Sequence, residues 1–366
     1  MKTFIATLAT ALVQATKYES LMAHMAEENA KIADRYNKNP YNGTGDAVQI
    51  EIDGVQVTKY IATMDWGNCN TNGSQIYCPG PSSRAYIMDS PSYDSNNPQY
   101  YEANLLGGSV EWDADLSQHE CGCINTFYTV SMPAKDWNGN YSGGDPFHYC
   151  DANGVGGDWC PEFDLMEANK YAFQTTPHHC DGPNDKGHYS SCDTGGSAHN
   201  SVDQALSFGP GQTIDTNRPI HVKVEVTVDG SGSANQVITT ISQDGNQQQM
   251  INSDAGYLSQ MNDALTAQVF VISNWQGDAG WLWKNKCSGS CWNSPGETIS
   301  NIKIKSGSGK PQPGPKPDPS KKWKFGDNCK SASDCKESTC SQSQCKWSWP
   351  ADASWDSPDA DCRCDV

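Results

Sequence analysis

Alternation of apolar and polar residues over the middle of the chain restricts what it can fold into. Between about Val48 and Ser306, apolar residues occupy every second position in short runs such as VQIEIDGVQV, NTFYTVSM, IHVKVEVTV and ISNIKIKS. Residues two apart share one face of a β-strand, and the Gly, Asn, Asp and Pro between the runs favour turns. The pattern therefore predicts an all-β fold of two packed antiparallel sheets, either a β-sandwich or a jelly roll.

The N-terminal sequence departs from this pattern and predicts two further segments. A lysine precedes an apolar run that ends just before Ala15, which indicates a signal peptide over residues 1–15, with a buried helix as the alternative. Apolar residues recur at helical spacing over residues 18–36, so we predict a helical segment over residues 16–40. The β-sandwich domain then spans residues 41–307.

The C-terminal sequence predicts a linker and a small cysteine-rich module. Residues 308–322 are rich in Pro and Lys, a composition typical of an extended spacer. Residues 323–366 hold six cysteines, and so short a module needs cross-links for stability. Disulfides are favoured over zinc because the module has no paired CxxC motifs. Its Trp347, Trp349 and Trp355 either bind carbohydrate or form the core of the module.

The charge balance excludes two classes of partner. The 366 residues include 25 Lys and Arg against 43 Asp and Glu, which gives a formal net charge of −18. Such a chain repels phosphate groups, so we expect neither nucleic acid nor an anionic membrane as a partner. After the N-terminal run, no stretch of the sequence is long and apolar enough to span a bilayer.

The sixteen cysteines indicate that the chain folds in an oxidising compartment, in agreement with a signal peptide. Sequons for N-glycosylation at Asn42, Asn72 and Asn140 fit the same route. We therefore predict a secreted, extracellular glycoprotein. Four pairs of cysteines lie close together in the sequence and predict local disulfides, although spacing alone does not fix the pairing. These pairs are Cys69 with Cys78, Cys150 with Cys160, Cys180 with Cys192 and Cys287 with Cys291.

Three carboxylates stand within six positions in the segment EFDLMEAN. In a strand, Glu162 and Asp164 share one face, while the apolar residues between them point to the other face, which we expect to be the core. Glu167 would then point into the core unless the strand contains a β-bulge. One extra residue at Met166 would return Glu167 to the face of the other two, and β-bulges are common next to active sites.

Carboxylates gathered on one face of a sheet are typical of enzymes that hydrolyse glycosidic bonds. A retaining glycosidase needs a nucleophile and a general acid about 5–5.5 Å apart, and we expect both to line an exposed groove. Like charges this close do not all ionise, so the pKa of one group rises and a protonated acid remains near neutral pH. A calcium site or a solvated surface is the alternative, although calcium favours ligands from a loop over ligands from a strand.

Several segments, in a fixed order along the chain, extend this interpretation. EFDLMEAN is followed by TTPHHC, and the other segments are GGSVEWDADLS, CGCINTFYTVSM, FGPGQTIDTNRPIHVKVEV, AQVFVISNWQGDAGWLW and ISNIKIKSG. Together they resemble glycoside hydrolase family 7, the cellobiohydrolases and endoglucanases of cellulose breakdown, over roughly Gly107 to Gly307. The resemblance implies a concanavalin-like β-sandwich, to which the predicted C-terminal disulfide-rich module is added.

The resemblance also implies roles for the acidic residues and for one histidine. Glu162 would be the nucleophile, Asp164 its partner, and Glu167 the general acid and base. His178 would be a substrate-binding residue of the site, because it follows the Thr-Pro of TTPHHC. The next residue, His179, stands where the family usually has proline.

Two further features bear on the substrate. Trp275 and Trp283 would be sugar platforms, since an aromatic ring packs against the apolar face of a pyranose, and core packing is the alternative for each. The segment PAKDWNGNYSGGDPFHYCDANGVGGDW is shorter than its counterpart in the family. Shorter loops would leave an open cleft in place of a tunnel, which favours cleavage within a polymer over processive action from its end.

We therefore predict a secreted, retaining endo-β-1,4-glucanase of the cellulase type. It should need no cofactor and no metal, bind a β-glucan polysaccharide and act as a monomer. One rival is a lectin or wall protein that binds carbohydrate on the same sandwich without catalysis. The other is a β-1,3(4)-glucanase similar to family 16, which also uses a Glu-x-Asp-x-x-Glu motif on a sandwich.

Overall fold

The computed structural model describes residues 45–63, 69–80, 83–142, 144–284, 286–291, 296–308, 345–348 and 361–364. The predicted signal peptide, the helical segment after it, nearly all of the linker and most of the cysteine-rich module lie outside these residues. The domain boundaries given above therefore stay predictions. Within the described residues, the helices are all too short or too polar to cross a membrane.

Among the residues that the structure describes, strands account for most of the regular structure and two short helices accompany them. The strands are β1 Asp46–Ile52, β2 Val55–Thr63, β3 Asn70–Asn72, β4 Gln75–Cys78, β5 Ser83–Met88, β6 Glu102–Ala103, β7 Ser109–Ala114, β8 Cys123–Val130, β9 Glu162–Ala168, β10 Phe173–His178, β11 His199–Asn200, β12 Phe208–Gly209, β13 Ile214–Asp215, β14 Ile220–Val228, β15 Ala234–Gln243, β16 Asn246–Asn252, β17 Gln268–Gln276, β18 Glu297–Lys305, β19 Cys345–Ser348 and β20 Asp361–Cys364. The helices are α1 Ala255–Leu258 and α2 Gly280–Trp283, with 3-10 turns at Ser259–Met261 and Ala264–Thr266.

Sixteen of these strands form one curved sheet that folds over on itself. Its order is β11-β10-β9-β8-β17-β5-β2-β1-β18-β7-β14-β15-β16, with β4 also pairing with β18, β3 with β4, and β6 with β17. Neighbouring strands of this described sheet run antiparallel except β1 and β18, which are parallel. The predicted all-β sandwich is confirmed. The described residues also form two separate two-stranded sheets, β12-β13 and β19-β20.

Two layers of the folded sheet enclose one hydrophobic core. Strands β5, β8, β9, β10 and β17 form one layer, and β7, β14, β15, β16 and β18 form the other. Between them the rings of Trp112 and Phe127 meet with centroids 5.0 Å apart. The hydroxyls of Thr175 and Thr239 form a hydrogen bond of 2.9 Å across the same space. The face of β8, β9, β10 and β17 that points away from this core is called the site face below.

Alternation along β14 shows how the sequence determines which side chains face the core. Val222, Val224 and Val226 are buried in the core, whereas Lys223 and Glu225 between them are partly exposed on the other face. Burying a valine contributes roughly 1.5–3 kcal/mol to folding, so a slip of one residue in the register would forfeit several such contributions at once. The hydrophobic pattern read from the sequence therefore fixes the register of this strand.

Disulfides connect several loops of the sandwich. Three of the local pairs predicted from spacing are confirmed: Cys69 with Cys78, Cys150 with Cys160, and Cys180 with Cys192. The fourth prediction is wrong, because Cys287 pairs with Cys121 and Cys291 pairs with Cys123. These two bridges fasten the segment after α2 to the start of β8.

The glycine between two of these cysteines explains why the long-range pairing fits. Gly122 has a φ of +83°, and a Cβ at this position would lie 2.6 Å from the backbone nitrogen of Cys291. Only glycine allows both this left-handed conformation and so close an approach of two backbones. The Cys-Gly-Cys sequence therefore brings two adjacent disulfides to one edge of the sheet.

Candidate active site

A β-bulge in β9 places the three carboxylates on the site face. In the pairing with β8, Met166 lies opposite Phe127 and Asp164 lies opposite Tyr128, so Leu165 has no partner. The extra residue was predicted at Met166, and the structure places it one position earlier. Leu165 and Met166 are consequently both buried in the core.

The bulge restores the alternation that the spacing of the acids would otherwise break. Glu162, Asp164 and Glu167 lie opposite Val130, Tyr128 and Thr126 of β8, which alternate along one face of that strand. The three acids therefore share the site face, as the sequence predicts for a bulged strand.

The three carboxylates differ in how far solvent reaches them. Glu162 and Asp164 are each 6 % exposed, whereas Glu167 is partly exposed. Glu162 therefore lies deeper than the exposed groove predicted from the sequence, and Glu167 is the carboxyl that an incoming molecule meets first.

A loop closed by a disulfide lies against Glu162. The loop runs between Cys150 and Cys160, and the amide of Ala152 donates a 2.9 Å hydrogen bond to Oε2 of Glu162. Asp151, the preceding residue, is buried close enough to raise the pKa of Glu162. Neither residue was singled out in the sequence, although the Cys150–Cys160 spacing could have indicated a fixed loop directly before β9.

His178 ends β10 and lies opposite Glu162 in the strand pairing. Its Nε2 is 3.0 Å from Oδ2 of Asp164, and its Nδ1 is 2.8 Å from the backbone oxygen of Asp193. A carbonyl oxygen only accepts hydrogen bonds, so Nδ1 carries a hydrogen. The other ring nitrogen, Nε2, faces Asp164, so the imidazole spans the space between the loop at Asp193 and the acids of β9.

The loop after β10 closes over His178 because it contains glycine. Gly196 has a φ of +61°, and a Cβ there would lie 2.7 Å from Cε1 and Nδ1 of His178 and 2.6 Å from Cγ2 of Thr176. Asp193 in the same loop accepts a 3.0 Å hydrogen bond from the hydroxyl of Tyr257, which anchors it to α1. The orientation of His178 is therefore set by a loop that sequence reasoning did not consider.

Glu167 is held by a chain of polar side chains along β10 and β11. The hydroxyl of Thr176 donates to Oε2 of Glu167 over 3.3 Å, and Gln174 donates to the same hydroxyl over 3.1 Å. Asn200 in turn donates to Gln174 and to the backbone oxygen of Leu282 in α2, each over 2.9 Å. This chain connects Glu167 to α2.

The three acids of β9 keep their protons to a higher pH than ordinary carboxyls do. Burial raises the pKa of Glu162, Asp164 and Glu167 well above the usual values for carboxyls. Asp164 adds to the rise for both glutamates, and Asp151 adds to it for Glu162 and Asp164. His178 acts in the opposite direction on both glutamates.

The same groups form a set of possible metal ligands. One donor atom each from Glu162, Asp164 and His178 lie within 4.8 Å of one another, so the pocket is large enough in principle for a single cation. Nε2 of His178, the ring nitrogen that a metal would need, lies 3.0 Å from Oδ2 of Asp164. The prediction that the protein needs no metal stays a prediction.

An aromatic and cationic group continues the site face beyond β9. The hydroxyls of Tyr128 and Tyr149 form a 2.9 Å hydrogen bond, and Cζ of Arg84 lies 3.7 Å from the ring centre of Tyr149. Arg84 stands opposite Ser273 of β17, which places it on the site face. Arg84, Tyr128 and Tyr149 were missed as site residues, although alternation along CINTFYTV already puts Tyr128 on the face of Thr126.

The two tryptophans predicted as sugar platforms occupy one end of the site face. Trp275 of β17 lies opposite Ile124 and is partly exposed. Trp283 ends α2 and is only 6 % exposed, packed in a cluster with Ile124 and Leu282. The structure brings both close to the Glu167 end of β9, with the ring of Trp283 mostly covered.

The middle of the chain matches the family model described as glycosyl hydrolase family 7 over residues 136–274. This range contains β9, β10 and His178 and ends immediately before Trp275. It is narrower than the range over which the individual segments resemble the family.

The chain is also similar to curated proteins and to solved structures. It is 29 % identical over 182 residues to Endoglucanase EG-1 of Hypocrea jecorina, an alignment that covers 43 % of this chain and 36 % of that protein. The chain thus spans little more than a third of that relative.

The similarity in fold extends further than the similarity in sequence. A structure titled endoglucanase I complexed with cellobiose superposes with a TM-score of 0.59 at 17 % identity, covering 74 % of this chain and 98 % of that one. A GH7 family cellobiohydrolase from Daphnia pulex superposes with a TM-score of 0.55 at 16 % identity, covering 72 % and 96 %. The middle of the chain is thus similar in sequence to glycosyl hydrolase family 7, and the fold of the chain is similar to that of the two solved structures.

Proposed function

We propose that the protein is a retaining endo-β-1,4-glucanase in which Glu162 is the nucleophile and Glu167 is the general acid and base. The observation that carries the proposal is the unequal support of the two carboxyls on one face. Glu162 accepts a hydrogen bond from the amide of Ala152, and such a bond favours the ionised form. Glu167 accepts a longer hydrogen bond, of 3.3 Å, from the rotatable hydroxyl of Thr176, and its side chain is partly exposed.

This asymmetry suits a double displacement. Glu167 gives its proton to the glycosidic oxygen while that oxygen leaves the anomeric carbon, and the carboxylate of Glu162 forms a bond to the same carbon. Water then replaces Glu162 at that carbon after Glu167, now ionised, removes its proton. The second step returns Glu162 to the carboxylate and Glu167 to the acid.

Asp164 and His178 position the nucleophile in this proposal. Asp164 lies two residues from Glu162 on the same face, and its Oδ2 atom is 3.0 Å from Nε2 of His178. Asp164 raises the pKa of Glu162 and His178 lowers it, so His178 offsets part of the effect of Asp164. His178 therefore acts through Asp164, and contact between His178 and the substrate stays a prediction.

The substrate class is proposed from the relatives and from the rings on the site face. The similar proteins are named endoglucanase and cellobiohydrolase, and one similar structure contains cellobiose. Arg84 and Trp275, each partly exposed on the site face, offer flat groups that can pack against pyranose rings while the acids act on the bond between the rings. The buried ring of Tyr149 supports Arg84 from beneath. The shorter segment before β9 supports an open cleft and hence cleavage within the polymer.

Five disulfides in the described residues support action outside the cell, since such bonds persist in oxidising surroundings. We propose a secreted enzyme on this ground. The monomeric state predicted from the sequence stays a prediction.

A reducing-sugar assay on a panel of polymers tests the function. We expect release of new reducing ends from carboxymethylcellulose and from lichenan and little from laminarin, with a loss of roughly 10³-fold or more for Glu162→Gln. Cleavage of laminarin above the others would assign the protein to β-1,3-glucan instead. Binding of cello-oligosaccharides with no reducing ends from any polymer would support the lectin alternative.

A further inference from the structure

Four hydrogen bonds, called the hydrogen-bond chain below, lead from the backbone after β11 to the proposed general acid Glu167. Its side chains are Asn200, Gln174 and Thr176, which are all buried, and Gln174 lies opposite both Asn200 and Glu167 in the strand pairing. Amide and hydroxyl groups both donate and accept, so such a chain can in general run in either direction. Backbone groups at its far end decide the direction here.

The amide of Asn200 is held in one orientation by two backbone groups. The N–H of Val202 only donates, so the Asn200 atom 2.7 Å from it is the acceptor Oδ1. The backbone oxygen of Leu282 only accepts, so the Asn200 atom 2.9 Å from it is the donor Nδ2. Exchanging the two atoms would leave buried groups unpaired, at a cost of roughly 1–3 kcal/mol each. Asn200 therefore presents its NH2 group to Gln174.

That orientation fixes the next two members of the hydrogen-bond chain. Nδ2 of Asn200 donates to Oε1 of Gln174 over 2.9 Å, so the NH2 group of Gln174 is turned toward Thr176. Nε2 of Gln174 donates to the hydroxyl oxygen of Thr176 over 3.1 Å. That hydroxyl has one hydrogen, which Oε2 of Glu167 accepts over 3.3 Å. Every hydrogen of the hydrogen-bond chain therefore points toward Glu167.

We propose that Asn200 and Gln174 are positioning residues that keep the catalytic proton of Glu167 on Oε1, and this inference rests on the proposed function. A protonated carboxyl accepts a hydrogen bond more strongly through its carbonyl oxygen than through its O–H oxygen. Oε2 accepts from Thr176, so Oε2 is the carbonyl oxygen of the acid and Oε1 carries the hydrogen. The bond between Oε1 and this hydrogen breaks when the hydrogen passes to the glycosidic oxygen.

The same direction serves the second step of the proposed reaction, in which Glu167 acts as a base. Burial, the largest cause, and then Asp164 raise the pKa of Glu167, whereas His178, Thr176 and Gln174 lower it. The donors therefore stabilise the carboxylate that remains after the proton has left. Its charge is shared by both oxygens, and Oε1 is then the atom that takes a proton from water.

Two leaving groups separate this role from a general loss of structure. The departing oxygen of phenyl β-cellobioside needs a proton, whereas 2,4-dinitrophenolate departs from its β-cellobioside without one. Gln174→Met keeps the length of the side chain and removes its amide. We expect this variant to lower the ratio of kcat/KM for the phenyl substrate to that for the dinitrophenyl substrate by roughly tenfold, a part of what a general acid supplies.

Gln174→Glu is a second variant of the same shape. It keeps an oxygen for Asn200 and replaces the NH2 group with an acceptor, which draws the hydrogen of Thr176 away from Glu167. The ratio should fall at least as far as in Gln174→Met.

Gln243 of β15, in the other layer, offers a matched control. It is 8 % exposed, against 6 % for Gln174, and its amide is bonded to backbone groups of Asp215 and Pro219. Gln243→Met loses no fewer hydrogen bonds and should leave the ratio unchanged.

An unchanged ratio in either Gln174 variant, or an equal fall of kcat/KM for both substrates, would overturn the role of the hydrogen-bond chain and leave the proposed function intact. A similar fall of the ratio in Gln243→Met would overturn it as well. A wild-type protein that hydrolyses neither cellobioside would instead defeat the proposed function, and this inference with it.

Discussion

Nε2 of His178 lies 3.0 Å from Oδ2 of Asp164, while Nδ1 of the same ring donates to the backbone oxygen of Asp193. Each ring nitrogen therefore faces an oxygen atom, and the two buried side chains lie directly beside Glu162. The two glutamates lie on the same face as this pair, so any change in its charge alters the pKa of both. The pH dependence of the reaction follows from this relationship.

Replacing Asp164 should shift the alkaline limb of activity. Burial is the largest cause of the raised pKa of Glu167, and the negative charge of Asp164 is the second. Asp164→Asn removes this charge and should therefore lower the pKa of Glu167. Glu167 must be protonated to act as an acid, and the alkaline limb of kcat/KM reports where it loses this proton. We expect the limb to move to lower pH, measured on β-1,4-glucan. A limb that stays in place or moves to higher pH would contradict the assignment of Glu167.

Azide should distinguish the roles of the two glutamates. Glu167→Ala should lower kcat on glucan by roughly 10²–10⁴-fold. With aryl cellobioside and azide, this variant should form the β-glycosyl azide, because azide attacks the glycosyl-enzyme formed by Glu162. Glu162→Ala should form the α-glycosyl azide, because azide then attacks the substrate directly. Proton NMR of the products reports the anomer, and the reverse outcome would exchange the two assignments.

Gly196→Ala should destabilise the loop over His178. The new Cβ would meet His178 and Thr176 at under 3 Å, and alanine at a φ of +61° is strained as well. Backbone strain and overpacking together should lower the free energy of unfolding by about 2–4 kcal/mol, measured by urea denaturation. Gly182→Ala is the control, since a Cβ at that exposed glycine of the neighbouring loop has no neighbour within 4 Å. Equal stability of the two variants would refute this account of the loop.

Glu297→Gln should stabilise the protein increasingly as the pH rises. Glu297 starts β18 with 0 % exposure, and neither carboxyl oxygen has a hydrogen-bond partner of ordinary geometry among the described residues. Burial raises its pKa well above the usual value, and the nearby Thr126 backbone offsets only part of this. Because the folded protein keeps this proton to higher pH than the unfolded chain does, the wild-type protein is most stable below the pKa of the unfolded carboxyl. It loses stability as the pH rises above that value.

The advantage of Glu297→Gln should therefore grow above about pH 4.5 by up to about 1.4 kcal/mol per pH unit, until the folded carboxyl itself ionises. Chemical denaturation of both proteins between pH 4 and pH 8 measures this. An advantage that shrinks with rising pH would show that the folded protein prefers the charged form.

The local sequence pattern predicts much of the fold and the grouping of the three acids on one face. Alternation identified the strands, and the spacing of Glu162, Asp164 and Glu167 required a bulge. The bulge was placed one residue too late because both Leu165 and Met166 are apolar, and only pairing with β8 decides which of them is unpaired. The choice depends on a strand about thirty residues away, which a local pattern does not contain.

Contacts between distant segments account for what the sequence did not reveal. The approach of Ala152 to Glu162 and the pairing of Cys121 with Cys287 depend on how loops close in space. The burial of Trp283 and the exposure of Trp281 likewise depend on which side of a four-residue helix meets the sheet. Such a helix is too short for its periodicity to indicate a buried face.

The bridges from Cys121 and Cys123 impose an order on biosynthesis. Their partners follow 166 and 168 residues later, so both thiols emerge from the ribosome long before either can be joined. Meanwhile the nearer thiols at Cys150 and Cys160 become available to them, and any bond formed with these must be exchanged before the start of β8 is closed. We therefore expect a disulfide isomerase, added to the oxidant, to raise the yield of correctly paired protein during refolding.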